Sequence, residues 1–264
     1  MPRLTKEKIK NKLNYHYKAF DRNAIAPDPL EFPHLFSNKY DIEIAAFIAS
    51  VFAYGNVIQI MKTLDKISSV IDENPHEFVL NYNHQKDYSL FNGIKHRFYT
   101  SEDISALFAG LNTIYNTYGS LNYLFLLYYF EKAENIKGAL SFFSNNLTDI
   151  VIKASEHDSR GVRFMFPDPL KGSACKRQNL FLRWMVRNDE LDFGLWKEIS
   201  TDKLIIPVDT HIAQISKKLK LTKRENVSWK MAEEITNNLK KFDANDPIKY
   251  DFALCHIGMR KLNF

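Results

Sequence analysis

Helix-breaking residues are scarce in this sequence, and their scarcity limits the folds that the chain can adopt. The 264 residues include only nine glycines and nine prolines, whereas a protein rich in tight turns draws heavily on these two residue types. Apolar residues recur instead at helical spacing, for example at Ile44, Phe47, Ile48 and Val51. We therefore predict an all-α fold.

Helical periodicity and breakers divide the chain into successive segments. We predict helices over residues 6–20, 41–52, 57–67, 100–118, 123–132, 174–187, 193–200, 210–219, 229–242 and 248–261, with two or three more reaching residue 154. Three prolines predict an extended connector over residues 26–36, and residues 161–169 should be irregular or a short ribbon. No linker or repeat is visible. We expect one unit of two helical lobes, approximately 40–155 and 156–264, with residues 1–39 packing on either lobe.

Cysteine content and hydropathy restrict the cellular setting. Cys175 and Cys255 are the only cysteines, too few for a disulfide framework or for the four thiolates of an iron–sulfur cluster. Residues 1–13 lack the uninterrupted apolar stretch of a signal peptide. Residues 121–130 are apolar but shorter than the roughly 20 residues of a membrane helix. We expect a soluble, cytoplasmic protein in which residues 121–130 form a buried core helix.

Basic residues are in small excess and include one regular stripe. The net charge is +5, which permits nucleic-acid binding without requiring it. Lys176, Arg183 and Arg187 fall at i, i+7 and i+11, on one face of the predicted helix 174–187. Such a stripe either follows a phosphate backbone or forms an ordinary solvated helix face, and the spacing alone favours neither interpretation.

Two segments carry residue types with catalytic potential. Lys176 lies at the predicted start of a helix, where a positive potential favours the neutral amine that a Schiff-base nucleophile requires. Asp209 follows an apolar run at the start of another helix, where unpaired N–H groups keep a carboxylate ionised. The structural alternatives are a solvent- or phosphate-facing lysine and a simple N-cap aspartate.

The segment Pro207-Val208-Asp209-Thr210-His211-Ile212 resembles the Val-Asp-Thr-His segment of helix–hairpin–helix DNA glycosylases. In that superfamily the aspartate is the essential carboxylate, and in bifunctional members a lysine at the end of the hairpin attacks the sugar. The long gap from Lys176 to Asp209 is comparable to that of the archaeal 8-oxoguanine glycosylase branch. The resemblance implies a two-lobed helical fold with a hairpin over residues 169–174. It also implies a set of backbone-binding residues: Lys171, Gly172, Arg183 and Arg187.

The resemblance extends to the last helix and to one loop. In the archaeal branch an aspartate, and an aromatic residue one turn later, help to hold the damaged base. Asp251 and Cys255 stand at those positions, so the resemblance implies that they line the base site. The loop around Tyr54 and Asn56 looks like the one that glycosylases push into the gap left by a flipped base. The alternative is a helix break without function.

These residues predict one function and leave alternatives open. The resemblance implies a DNA base-excision glycosylase with AP-lyase activity, which removes an oxidised purine such as 8-oxoguanine from double-stranded DNA. We expect a monomer without cofactor or metal, since no HExxH, CxxC or GxGxxG motif is present. The hairpin keeps one glycine, Gly172, where Leu-Pro-Gly-x-Gly is usual, and Cys255 replaces the aromatic ring. A non-catalytic nucleic-acid-binding module is therefore an alternative, as is action on another nucleoside, including RNA.

The whole chain also resembles a bacterial family of uncharacterised hypothetical proteins. This resemblance is recognisable in the segments Gly172-Ser173-Ala174-Cys175-Lys176-Arg177 and Lys249-Tyr250-Asp251-Phe252-Ala253-Leu254-Cys255. It covers most of the length of the chain but implies no function.

Overall fold

The computed structural model describes residues 5–19 and 21–259. Within these residues no strand forms, which confirms the all-α prediction. Two isolated β-bridges occur in the same residues, between His96 and Tyr99 and between Asn188 and Phe193. The helices are α1 (Lys6–Ala19), α2 (Lys39–Phe52), α3 (Val57–Ile71), α4 (Pro75–Asn81), α5 (His84–Asp87), α6 (Ser101–Tyr118), α7 (Leu121–Leu126), α8 (Lys137–Ser155), α9 (Arg160–Met165), α10 (Lys176–Val186), α11 (Thr210–Lys218), α12 (Trp229–Leu239) and α13 (Asp251–Met259). The end of the predicted helix 248–261 lies outside the described residues.

The chain divides into two compact units. The terminal unit takes in the described residues of Met1–Ile25, Ala133–Ile136 and Gly172–Phe264, and the middle unit comprises Ala26–Lys132 and Lys137–Lys171. The chain thus passes from the middle to the terminal unit after Lys171, not near residue 155 as predicted. Of the described residues before α2, those up to Ile25 belong to the terminal unit and those from Ala26 belong to the middle unit, so they do not all pack on one lobe as predicted.

The middle unit is built around α2, because every residue from Asp41 to Phe52 is buried. A helix buried on all sides belongs to a core, yet this one carries two carboxylates. Asp41 accepts a hydrogen bond from the backbone N–H of His76 at 2.8 Å, in the first turn of α4. Glu43 accepts one from the N–H of Leu121 at 2.9 Å, where α7 begins. Since first-turn N–H groups have no partner within their own helix, the two carboxylates fix α4 and α7 against α2.

Asp103 joins two other helix starts of the middle unit. It forms a capping box at the start of α6 with Thr100, and its carboxylate also accepts hydrogen bonds from His157 Nε2 at 3.0 Å and from Ser159, the N-cap of α9. A Cβ atom at Gly161 would overlap this carboxylate, so the close approach of α9 requires glycine. Burial alone would raise the pKa of Asp103, but the hydrogen bonds from Ser159, Thr100 and His157 outweigh burial and lower it.

The terminal unit attaches α1 through two tyrosines. The hydroxyl of Tyr17 donates to Asp189 Oδ2 at 3.1 Å, and that of Tyr250 donates to Asn14 Oδ1 at 2.9 Å. Helix α13 packs against both α1 and α11. The amino-terminal helix is therefore an integral part of the unit that contains α10, α11 and α13.

The predicted helix 193–200 is wrong. The backbone N–H groups of Phe193 and Trp196 donate to the carbonyls of Trp184 and Met185, each at 2.8 Å. These carbonyls belong to the last turn of α10, where the C=O groups have no N–H donor within the helix. Residues 193–196 therefore run along the end of α10 without forming a helix, and a turn follows at residues 197–198.

Three further predictions on secondary structure need correction. The connector 26–36 is not extended, because Pro29 and Pro33 each begin a 3₁₀ turn. Residues 161–169 are not a ribbon, because most of them lie in α9 or in the turn that follows it. A single helix, α8, replaces the two or three predicted before residue 154.

The segment 121–130 is only partly a core helix. Helix α7 ends at Leu126, and its buried residues are Leu121, Leu124 and Phe125. The large exposed side chains of this segment are Tyr123, Leu127, Tyr128 and Phe130. Among the described residues, no helix combines the length and apolar character needed to cross a bilayer.

We predict that Asp103→Asn destabilises the protein at neutral pH and that this deficit shrinks in acid. A carboxylate whose pKa is lowered in the folded state stabilises the fold fully above its ordinary pKa of about 4. That contribution is lost as the pH falls through the lowered value. Urea denaturation over a pH series measures the effect, with Asp65→Asn on the exposed side of α3 as the control. A deficit that stays constant down to the acid limit would contradict the prediction.

Candidate active site

Lys176 is the first residue of α10, and an unusual backbone precedes it. Gly172 and Cys175 both have positive φ angles, of 87° and 48°, in the left-handed region that favours glycine. The carbonyl of Gly172 accepts a hydrogen bond from the N–H of Trp229 at 3.0 Å, where α12 begins. The turn before α10 is thereby hydrogen-bonded to the start of α12, which fixes the position at which α10 and Lys176 begin.

Asp209 is the N-cap of α11 and uses its two carboxylate oxygens differently. Oδ1 accepts hydrogen bonds from the N–H groups of His211 and Ile212, each at 2.9 Å. The preceding apolar residues, including Ile206 and Val208, are buried and anchor the chain at this point. Capping thus occupies Oδ1 and leaves Oδ2 directed elsewhere.

The structure brings Lys176 and Asp209 together. Lys176 Nζ lies 3.4 Å from Asp209 Oδ2, and the two side chains are 33% and 19% exposed. Both groups are therefore accessible from solvent and adjacent to each other. An amine and a carboxylate at this separation can exchange a proton or act on one bound atom.

Arg183 and Arg187 form a buried ion-pair network on the same helix. Arg183 donates through Nη1 to Asp251 at 2.6 Å and through Nε and Nη2 to Asp192 at 3.2 and 3.0 Å. Arg187 binds Asp192 from the other side and reaches Asp246 at 2.9 Å. Asp192 is fully enclosed, and burial raises its pKa even though both arginines oppose that shift.

This network contradicts the prediction that Arg183 and Arg187 bind a DNA backbone. Both residues are 2% exposed, and their guanidinium groups are saturated by aspartates within the fold. The i, i+7, i+11 stripe is thus neither of the two predicted surfaces. The sequence does contain a signal for the network, since Asp189 and Asp192 follow the helix closely, but helical spacing alone does not indicate that they pair with the arginines.

Asp251 begins α13 and is buried against Arg183. Burial raises the pKa of Asp251 to about 6, against the effect of Arg183 and with a further increase from the charge of Asp209. Cys255 lies one turn later and is partly exposed. Lys176, Asp209 and Asp251 thus all stand at helix starts in the terminal unit, and the roles of Asp251 and Cys255 toward a base stay predictions.

The remaining predicted DNA contacts lie on turns. Lys171 and Gly172 are exposed, as backbone contacts would need to be. Tyr54 is half-buried and its hydroxyl donates to the carbonyl of His96 at 2.9 Å. Asn56 is exposed, but its side chain caps the start of α3. Tyr54 and Asn56 are therefore both engaged in the local fold.

The groups that this region offers to a ligand are an amine and carboxylates. In the part of the chain that the structure describes, no group of three or more His, Cys, Asp or Glu side chains is placed to hold a metal ion. The amine of Lys176 and the carboxylate of Asp209 are groups that can take part in nucleophilic and acid–base chemistry.

Residues 28–260 match the family described as protein of unknown function (DUF2400). The match covers most of the chain, which therefore belongs to that family. No curated protein and no solved structure matches the sequence. Because the family description assigns no activity, a function has to be argued from the residues themselves.

We predict that Asp209→Ala and Asp209→Asn differ in stability. Alanine removes the cap of α11 and should lower the free energy of unfolding by about 1 kcal/mol, whereas asparagine caps a helix as well as aspartate does. Urea denaturation of both variants measures the difference. Equal losses in the two variants would show that capping by Oδ1 is unimportant.

We predict that Asp192→Ala lowers the free energy of unfolding by about 3–5 kcal/mol, because it leaves two buried guanidinium groups without their shared partner. Thermal or urea denaturation measures the loss. The control is Asp158→Ala, which breaks the exposed ion pair with Arg163 and should change stability little. A similar small loss in both variants would contradict the importance of the buried network.

Proposed function

We propose that this protein is a DNA base-excision glycosylase with AP-lyase activity that removes an oxidised purine, such as 8-oxoguanine, from double-stranded DNA. The observation that carries the proposal is the 3.4 Å separation of Lys176 Nζ and Asp209 Oδ2. These are the two residues that the sequence resemblance assigns as nucleophile and essential carboxylate. In such an enzyme both must act at one sugar carbon, so they must lie within reach of each other.

The fold that we propose also follows from the resemblance to helix–hairpin–helix DNA glycosylases. The turn that contains Gly172 would be the hairpin of a glycosylase-type helix–hairpin–helix element, and α10 would be the helix that follows it. The exposed Lys171 and Gly172 support a contact between this turn and the DNA backbone. We propose that the protein acts as a cytoplasmic monomer without a cofactor.

The proposed reaction begins with deprotonation of Lys176, for which Asp209 Oδ2 is an acceptor within reach. The neutral amine forms a bond to C1′ of the sugar while the bond to the damaged base breaks. The base leaves with the bonding electrons and takes up the proton that Asp209 received from Lys176. Asp209 is thereby a carboxylate again and stabilises the positive charge that develops on the sugar and the attached nitrogen. The nitrogen then loses a proton, and the ring C1′–O4′ bond opens as O4′ is protonated, which leaves a protonated imine. Loss of a proton from C2′ of this imine then expels the 3′ phosphate by β-elimination.

A non-catalytic nucleic-acid-binding module on the same scaffold is the second candidate. It is favoured by two departures from the glycosylase pattern, namely the single glycine of the hairpin, Gly172, and Cys255 in place of an aromatic ring. Either change would weaken a contact that the enzyme needs, the first to the backbone and the second to the base. Action on another nucleoside, including RNA, is the third.

We predict that borohydride traps the protein covalently on a duplex with a single 8-oxoguanine and that Lys176→Ala abolishes the adduct. Reduction makes the imine permanent, so the adduct reports the nucleophile directly. Asp209→Asn should slow trapping by about 10²–10⁴-fold, the range for a group that assists proton transfer. Gel electrophoresis of labelled duplex under denaturing conditions measures the adduct.

The matched control is Lys217→Ala. Lys217 is also paired with a carboxylate, that of Glu225 at 2.6 Å, and its side chain is as exposed as that of Lys176, so this variant should trap like the wild type. An adduct on an abasic duplex alone would support the lyase and leave the lesion open. Binding without any adduct would favour the non-catalytic module.

A further inference from the structure

A tight turn of the middle unit exposes an arginine and a phenylalanine at its tip. His96 and Tyr99 close the turn through two backbone hydrogen bonds of 3.0 and 2.9 Å. Between them, Arg97 and Phe98 are exposed, and 58% of the surface of Phe98 is accessible. Phenylalanine usually buries its ring, so the exposure of Phe98 suggests a role other than core packing.

The base of this turn is rigid. His96 is buried and hydrogen-bonded through Nδ1 to Thr63 at 3.0 Å and through Nε2 to the carbonyl of Tyr54 at 3.1 Å. Tyr99 is also buried and packs edge-to-face on Phe52. Arg97 has a positive φ angle of 54°, a conformation that non-glycine residues adopt only where surrounding contacts impose it. The tip is thus presented in one fixed conformation.

Aromatic rings surround the tip and form a continuous surface with it. The rings of Phe98 and Phe164 are in edge-to-face contact, with their centroids 5.6 Å apart. The centroids of the Phe164 and Tyr54 rings lie 5.3 Å apart. The guanidinium carbon of Arg97 lies 5.5 Å from the Tyr54 ring and 5.7 Å from that of Phe98. Gly55 leaves room for Arg97, because a Cβ atom there would lie 2.9 Å from its side chain. We call Arg97, Phe98, Phe164 and Tyr54 the turn patch.

The turn patch lies in a basic setting. Its three segments, residues 54–58, 95–99 and 160–164, contain four basic residues, Lys95, Arg97, Arg160 and Arg163, and no acidic residue. Arg163 is paired with Asp158, and Arg97 lies beside the exposed ring of Phe98, with Lys95 and Arg160 as further positive charges in the same segments. Aromatic faces beside cations are the surface on which nucleic-acid bases stack while phosphates are neutralised. This charge complementarity favours nucleic acid over an apolar protein surface as the partner.

We propose that the turn patch contacts DNA where a base is unstacked, with Phe98 against the base and Arg97 at a neighbouring phosphate. The choice of duplex DNA rests on the proposed function. The inference moves the wedge from Tyr54 and Asn56 to Phe98. Tyr54 is anchored to His96 and Asn56 caps α3, whereas the ring of Phe98 is held at the tip of the turn.

The test compares two duplexes by fluorescence anisotropy, one fully paired and one with a tetrahydrofuran abasic analogue that leaves an unpaired base opposite. The analogue has no reactive C1′, so the chemistry of Lys176 does not enter. Phe98→Ala should weaken binding to the abasic duplex by about 5- to 150-fold, the value of one stacked base, and change binding to the paired duplex little. Phe98→Trp should keep the preference for the abasic duplex that Phe98→Ala loses, since tryptophan also supplies an aromatic ring.

The matched control is Phe130→Ala, which removes the same residue type from an equally exposed position, 59% against 58%, in the same unit. It should leave both affinities unchanged. Arg97→Ala should weaken both duplexes alike and reduce the slope of log affinity against log salt by about 1, whereas Lys132→Ala, beside Phe130, should not.

Equal binding by Phe98→Ala and Phe130→Ala would overturn the inference, as would failure of the wild type to prefer the abasic duplex. The two proposals fail separately. If trapping succeeds but Phe98→Ala binds like the wild type, the turn patch is wrong and the enzyme stands. If Phe98→Ala loses the preference but no adduct forms with the wild type, the DNA contact stands and the enzyme is wrong.

Discussion

Carboxylates at the starts of helices hold much of this structure in place. The first N–H groups of a helix have no partner within it, and in α4, α7 and α11 an aspartate or glutamate supplies one. For α4 and α7 the carboxylate belongs to the buried helix α2, so satisfying the backbone also sets the packing of three helices. What these side chains specify is where each helix begins, and the candidate catalytic residues stand at such beginnings.

The Lys176–Asp209 pair is positioned by its surroundings rather than by its own attraction. A pair this exposed contributes about 1 kcal/mol or less to stability, too little to orient two helices. The buried network is stronger: Arg183, two turns along α10 from Lys176, binds Asp251 at the start of α13, and α13 packs against α11. Helix α10 is therefore tied to α13 through Arg183 and Asp251, and α13 packs against α11, which carries Asp209 at its start. These contacts bring Asp209 close to Lys176.

Local signals in the sequence were sufficient where the partner of a residue is near in the chain. Thr100 as a cap and Asp209 as a helix start are both predictable, because each bonds to N–H groups two or three residues away. The non-helical course of residues 193–200 was not predictable, since Phe193 and Trp196 pair with the end carbonyls of α10. Periodicity also put Arg183 on the surface, because helical spacing identifies a shared face but not whether aspartates from other segments cover it. The distance between Lys176 and Asp209 likewise depends on the tertiary fold.

The divided carboxylate of Asp209 narrows the residue types that this position can accept. Serine, threonine or asparagine would cap α11 but would bring no negative charge to Lys176. Glutamate would bring the charge, but its extra methylene displaces the oxygen that caps the helix in this geometry. Aspartate therefore meets two unrelated requirements, a cap for the backbone of α11 and a negative charge beside Lys176. A substitution at this position would remove the cap, the charge or both.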